Sequence, residues 1–144
     1  WCPNFGDNLL WHIREVCIGT INNYCSAIVL WNFMLDANRG PNRPGGCNSC
    51  YGFVDCDTLY SYAGLNFRSH WYIIGHMSKV IQRDAYRIHS SGGGVLCSAF
   101  ENPDGTLSAV MLNDGDSTKR VAVSSPKGDF LEELPARSVI SLIW

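Results

Sequence analysis

The chain is short of carboxylates of the longer kind and of any excess of one charge. Among 144 residues there are only four Glu (Glu15, Glu101, Glu132 and Glu133), and eleven Lys+Arg stand against thirteen Asp+Glu. A formal charge of −2 excludes the strongly basic face that a nucleic-acid binder needs. Long apolar runs are missing too. The longest, Ala27 to Leu35, is interrupted by Asn32 and is about half a membrane span, so no transmembrane helix is expected. No charged n-region followed by an apolar h-region opens the chain. It starts at Trp1-Cys2-Pro3 rather than Met and stops on Ile143-Trp144, which reads as a piece of something longer. Internal repeats and low-complexity segments are absent.

What is present argues for a folded core: 46% of the residues are apolar and 17% charged, a balance that disordered chains do not have. Leu9, Leu10, Ile13, Val16, Cys17 and Ile21 recur at helical spacing, with Asp7 or Asn8 as N-cap and Gly19 weakening the last turn. Ser26 to Asn32 is an unbroken, β-branched apolar run, expected to be a strand buried on both faces as in a parallel sheet. A long Gly- and Pro-rich loop occupies residues 36 to 52, of the kind that is usually functional or disordered. Phe53-Val54 suggests a short strand. From His70 to Ile81 the spacing is helical again, with Ser69 as N-cap.

Beyond about residue 84 the period becomes that of strands. Turn signals at Asp104-Gly105, Asn113-Asp114-Gly115 and Lys127-Gly128, with Pro135 beyond, recur about every ten residues. They bound Val95 to Phe100, Leu107 to Leu112, Arg120 to Val123, Phe130 to Leu134 and Ser138 to Trp144, which reads as an antiparallel meander in a β-sandwich. The fold class is thus α/β plus all-β: the C-terminal part of an α/β domain, then antiparallel sandwich strands.

The chemistry is sparse. Sugar hydrolysis by paired carboxylates needs two acids on strand ends, about 5 Å apart for retention, and none of the four Glu makes such a pair. Asp36 follows the buried strand closely, where the active-site loops of a barrel emerge. It reads either as a catalytic or binding carboxylate or as a cap for the turn that follows. Cys47-x-x-Cys50 has half the spacing of a zinc knuckle without a second pair, which fits a local disulfide or free thiols better than a metal. A zinc-bound structural domain would rest on Cys47, Cys50 and Cys56. Cys17, Cys25 and Cys97 lie in apolar stretches and read as buried thiols. The histidines lack the spacing of a metal helix, and His76 reads as a hydrogen-bonded core residue. No G-x-S-x-G elbow exists, and Gly92-Gly93-Gly94 lacks the residues of a phosphate loop. Trp31, at the strand end, is a candidate to stack on a sugar ring or to pack in the core.

Four stretches taken together resemble glycoside hydrolase family 30, the glucosylceramidase and β-1,6-glucanase family. They are Phe5-Gly6-Asp7-Asn8-Leu9; Leu30 to Asp36 with Gly40-Pro41-Asn42 and Gly45-Gly46-Cys47; Tyr72 to Lys79; and Ala99 to Gly105 with Val110-Met111-Leu112-Asn113. The resemblance implies a (β/α)8 TIM barrel with an attached β-sandwich, built from both chain ends. Residues 1 to 82 would be helix seven, strand eight and helix eight, and residues 83 to 144 the C-terminal sandwich strands. It implies retaining hydrolysis of β-linked glucosides by two Glu that lie upstream of this chain, without metal or organic cofactor. No catalytic residue is then assigned here, and the chain alone is expected to be inactive. Trp31 and Asn32 match positions that contact the sugar, and Asp36 would shape the entrance. The implied partners are a β-glucoside or glucan and the remainder of the barrel. The implied location is extracellular, periplasmic or cell-surface, in a bacterium. The rival is a non-catalytic carbohydrate-binding sandwich module using aromatics such as Trp71 or Tyr86.

Overall fold

The computed structural model describes residues 4–57 and 62–144; the opening Trp1-Cys2-Pro3 lies outside them. The first helix is a continuous rod. It comprises α1 (Phe5–Trp11), a π-helical segment (His12–Gly19) and α2 (Thr20–Asn22). The N-cap is Asn4, whose side chain accepts from the Asp7 amide at 3.0 Å, rather than Asp7 or Asn8. Asp7 sits in the first turn, where its charge faces the positive helix end. Asn8 is buried instead, and accepts from the Ser69 hydroxyl at 2.7 Å. The apolar stripe survives: Leu10, Ile13, Cys17 and Ile18 are buried. Gly19 is a requirement here rather than a weak spot. A Cβ there would stand 2.9 Å from the Arg14 carbonyl oxygen, which the wider π turn brings under it.

Residues 25–30 run extended but join no ladder. Burial on both faces is therefore not met: Ile28 and Leu30 pack on the helix core, while Val29 is 89% exposed. Among the described residues no neighbouring strand covers its outer side. Cys25 is exposed and Cys97 half-buried, so of the three cysteines expected inside only Cys17 is fully so. The chain turns outward at Tyr24, whose φ is 70°, and that carries Cys25 into solvent.

A small sheet follows, ordered β1 (Met34–Asp36), β2 (Val54–Cys56) and β3 (Leu65–Phe67); β1 and β2 are parallel, β2 and β3 antiparallel. Between β1 and β2 lies the long loop. Helix α3 (Ser69–Ser78) is shorter than its apolar period and begins after Arg68, which is extended. Ser69 is its first residue, not its cap, and spends its hydroxyl on Asn8.

The second half forms β4 (Tyr86–Ile88), β5 (Leu96–Glu101), β6 (Leu107–Asn113), β7 (Lys119–Ser125), β8 (Gly128–Leu134) and β9 (Ser138–Ile143). The strands fall close to where the turn signals put them. The order is not a simple meander: β4-β5-β6-β9 make one antiparallel sheet, and β7-β8 form a separate hairpin. The chain leaves β6, builds that hairpin on the opposite layer, and returns to pair β9 with β6. No barrel closes within the described residues.

Strand β6 is buried at every position. By the alternation of a strand, Val110 and Leu112 enter a core with Leu10, Ile13, Ile73 and Met77 from the helices. Ala109 and Met111 enter a second core with Val121 and Leu134 from the hairpin. Two asparagines clamp its ends. Asn102, in the turn before it, donates to Val80 O at 3.0 Å and accepts from the Gln82 amide. Asn113 Nδ2 faces the carbonyls of Ser117, Leu134 and Pro135. Cutting Leu112 back to alanine is expected to cost about 2–5 kcal/mol, because it opens a cavity where the helix layer meets the sheet. Leu131→Ala, on an exposed site of the hairpin, should change stability by about 0.5 kcal/mol or less. Urea unfolding of the two variants checks the contrast.

Candidate functional site

A cavity of about 560 Å³ opens where the end of α1, the end of the extended segment, the long loop and the start of α3 meet. Trp31, 72% exposed, forms part of its wall. Trp11, 48% exposed, and His12 come from the helix, Tyr51 and the Cys47–Cys50 tip from the loop, and His70 from α3. Asn8 and Ser49 complete the lining, which contains no Asp, Glu, Lys or Arg among the described residues. Such a wall can stack on and hydrogen-bond a neutral ligand, but it offers no acid–base pair.

The loop is held by a specific set of contacts. Cys47 and Cys50 form a disulfide with their Cα atoms 5.6 Å apart, so neither thiolate is left for a zinc site. Arg39 lies 4.0 Å above the Tyr51 ring, donates to its hydroxyl at 2.5 Å and to Ser49 O at 3.2 Å. On the same ring Arg68 stands 5.1 Å away while it pairs with Asp55. Both guanidiniums are thereby engaged against an aromatic ring, a favourable arrangement for a cation.

The candidates from sequence separate in space. Trp31 lines the cavity. Asn32 sits half-buried behind it: its carbonyl accepts from the Phe53 amide at 2.8 Å, and its Oδ1 is shielded without a partner among the described residues. Asp36 does not line the cavity. Its Oδ1 accepts from the amides of Asn38 and Gly40, both at 2.8 Å, which is the turn cap of the second reading. Sequence reasoning missed Trp11, His12, Tyr51 and His70. A signal existed for the first two: Trp11 and His12 lie beside the buried helical stripe of Leu10, Ile13 and Cys17 rather than on it.

An aromatic run backs the cavity. Trp11 meets His12 at 4.9 Å, His12 meets His70 edge-on at 4.8 Å, and His70 stacks on Phe53 at 6.0 Å. Because a carbonyl oxygen only accepts, His12 Nδ1 donates to Asn8 O at 2.9 Å. Burial, with the neighbouring His12 second, holds the His70 pKa below the ordinary histidine value. On the far side of α3, the Ser141 hydroxyl donates to His76 O, so His76 Nδ1 must donate to Ser141 Oγ, 2.8 Å away. Burial lowers its pKa as well; the hydrogen bond expected of it is present, but the residue is half-buried rather than in the core. Burial pushes the Cys17 thiol up to about 12, which makes it inert. Trp71 belongs to α3, not to the sandwich, and packs against Phe67 and Phe33.

Residues 84–142 match the β-sandwich domain of glycosyl hydrolase family 30. The second half of the chain thus carries the β-sandwich domain of this family. The chain's likeness to known proteins extends beyond that domain. It is 27% identical to the endo-1,6-β-D-glucanase neg1 of Aspergillus fumigatus over 99% of this chain and 30% of that protein. Among solved structures, the endo-β1,6-glucanase BT3312 superposes with a TM-score of 0.85 at 42% identity, over 94% of this chain and 31% of that one. SrfJ from Salmonella typhimurium superposes at 0.81 with 26% identity, over all of this chain and 32% of its own. The chain thus spans about a third of the length of the relatives it matches. No helix among the described residues is long and apolar enough to cross a membrane.

The two lowered histidine pKa values carry a sign. Unfolded, both imidazoles take up protons below about pH 6.5; folded, they resist until a lower pH. The unfolded state then binds more protons, so stability is full above pH 6.5 and falls as pH drops through the interval below it. Urea midpoints measured at pH 7.5 and 5.5 should fall further for the native chain than for a His70→Gln/His76→Gln variant.

Proposed function

We propose that this chain supplies the closing part of a retaining β-glycoside hydrolase of family 30, acting on β-linked glucans. In this reading the first 82 residues contribute helix seven, strand eight and helix eight of a (β/α)8 barrel, and residues 83–144 the C-terminal strands of its sandwich. The observation that carries it is Trp31: an indole 72% exposed at the end of an extended, unladdered segment, facing a cavity without carboxylates. A segment with Ile28 and Leu30 turned inward and Val29 turned out suits a place between barrel neighbours. Two relatives are endo-1,6-β-glucanases, which favours a β-1,6-linked glucan over other β-glucosides.

The chemistry would be a double displacement. One Glu protonates the leaving oxygen, a second attacks the anomeric carbon, and water releases the glycosyl-enzyme. Both Glu lie outside this chain in this reading, and the route uses no metal or organic cofactor. Trp31 offers the apolar face on which the sugar lies, Asn32 supports it from behind, and Asp36 stiffens the loop at the entrance. The Cys47–Cys50 disulfide supports an exported enzyme, since such bonds persist in oxidising compartments.

Assayed by itself, the chain is expected to release no chromophore from an aryl β-glucoside. Turnover abolished by Gln at Glu15, Glu101, Glu132 or Glu133 would overturn the proposal. In the glycosidase that the chain completes, Trp31→Ala should lower kcat/KM on β-1,6-glucan by about 10- to 100-fold; a change under about twofold would count against it.

A further inference from the structure

The cavity holds groups that one sugar stacked on Trp31 leaves unused. His70 is 8% exposed, and its Nδ1 is shielded without a hydrogen-bond partner among the described residues. A buried polar group left unpaired costs about 1–3 kcal/mol, and native structures seldom tolerate one without a reason. The ring is not loose: Phe53 stacks on one side and His12 meets it edge-on. His12 is itself fixed by Asn8 O, which leaves its Nε2 as an acceptor in the neutral ring. Trp11 lies at the other end of this run and is half exposed on the cavity.

We propose that Trp11, His12 and His70 form a second sugar-binding subsite adjoining that of Trp31, so that the cavity takes consecutive β-linked glucose units rather than one. This deepens, and rests on, the reading of Trp31 as a sugar platform. The chemistry matches. A sugar hydroxyl donates and accepts at one oxygen, and a neutral imidazole accepts at one nitrogen and donates from the other. Burial keeps His70 in that neutral form. The indole supplies the apolar face for the ring's C–H side. A volume of about 560 Å³ lies within the range of about 300–1,000 Å³ usual for small-molecule sites, and the wall carries no formal charge to repel or trap a neutral ligand.

The test uses the full chain with glucose and a β-1,6-linked glucotriose, followed by calorimetry and by the ¹⁵N shifts of the histidine rings. The trisaccharide should bind about tenfold tighter than glucose and move the His70 ring nitrogens, while glucose leaves them in place. Trp11→Ala and His70→Phe should each cut trisaccharide affinity by about three- to tenfold, with glucose affinity held within about twofold and His70→Gln retaining most of the gain. If Trp31→Ala abolishes glucose binding while Trp11→Ala and His70→Phe leave the preference for the trisaccharide unchanged, the second subsite is wrong and the Trp31 reading stands. Binding of both sugars untouched by Trp31→Ala overturns the two together. Should His70→Phe fail to fold, the ring shifts of the native chain decide: no movement with bound trisaccharide, or no binding at millimolar concentration, overturns the proposal.

Discussion

Everything in this chain hangs on one strand buried on both faces. β6 alternates Val110 and Leu112 toward the helices with Ala109 and Met111 toward the hairpin, so two apolar layers are tied through a single backbone. Each large side chain fully buried there contributes about 1.5–3 kcal/mol, and each is surrounded by groups from distant parts of the sequence. The consequence reaches the cavity. Ile13 and Ile73 share the core with Val110 and Leu112, which sets the helix rod against α3 and so places His12 edge-on to His70. Asn22 adds a polar tie, donating to Cys97 O at 2.9 Å and accepting from the Ser98 hydroxyl. The cavity is therefore built on two rigid helices rather than on loops alone, the better foundation for a binding wall.

Local signals were legible where local physics decides. The turn residues at Asp104-Gly105 and Asn113-Asp114-Gly115 mark the ends of β6 because Gly105 takes φ of +82° and because Asn102 and Asn113 spend their side chains on nearby backbone. The helical stripe of Leu10, Ile13 and Cys17 was equally plain. Legibility failed where a neighbour distant in sequence wins. Asn8 and Ser69 look like caps, yet they bond to each other across the core, leaving Asn4 and Arg68 in the cap positions. Ser26 to Asn32 has the composition of a strand buried on two sides, yet composition does not say which neighbour covers Val29. Nor does the return of β9 to β6 across a hairpin announce itself in period or turn spacing.

The site shows the same division. Trp31 was readable as the aromatic at the end of an apolar run, and Asp36 as a turn cap. His12 and His70 carried no motif because their meaning comes from packing: far apart along the chain, each is unremarkable until α1 and α3 are brought together. Even Cys47-x-x-Cys50 was readable only as far as its two alternatives, since spacing permits a disulfide and the loop geometry closes it.

Charge explains why this wall suits a neutral, hydroxyl-rich ligand. Two cations beside it are already committed: Arg39 covers Tyr51 and holds Ser49 O, and Arg68 pairs with Asp55. Asp36 has its carboxylate turned into its own loop, and His70 is held neutral by burial. A phosphate or carboxylate entering here would lose its hydration for contacts with indoles and neutral imidazoles, a cost that nothing on the wall offsets. In the proposed reading a sugar would lose far less, because the wall offers donors and acceptors to its hydroxyls and aromatic surface to its ring faces. The same feature separates binding from bond cleavage: a wall without carboxylates can hold a neutral ligand, and in the proposed reading the acids that cleave a glycoside come from elsewhere.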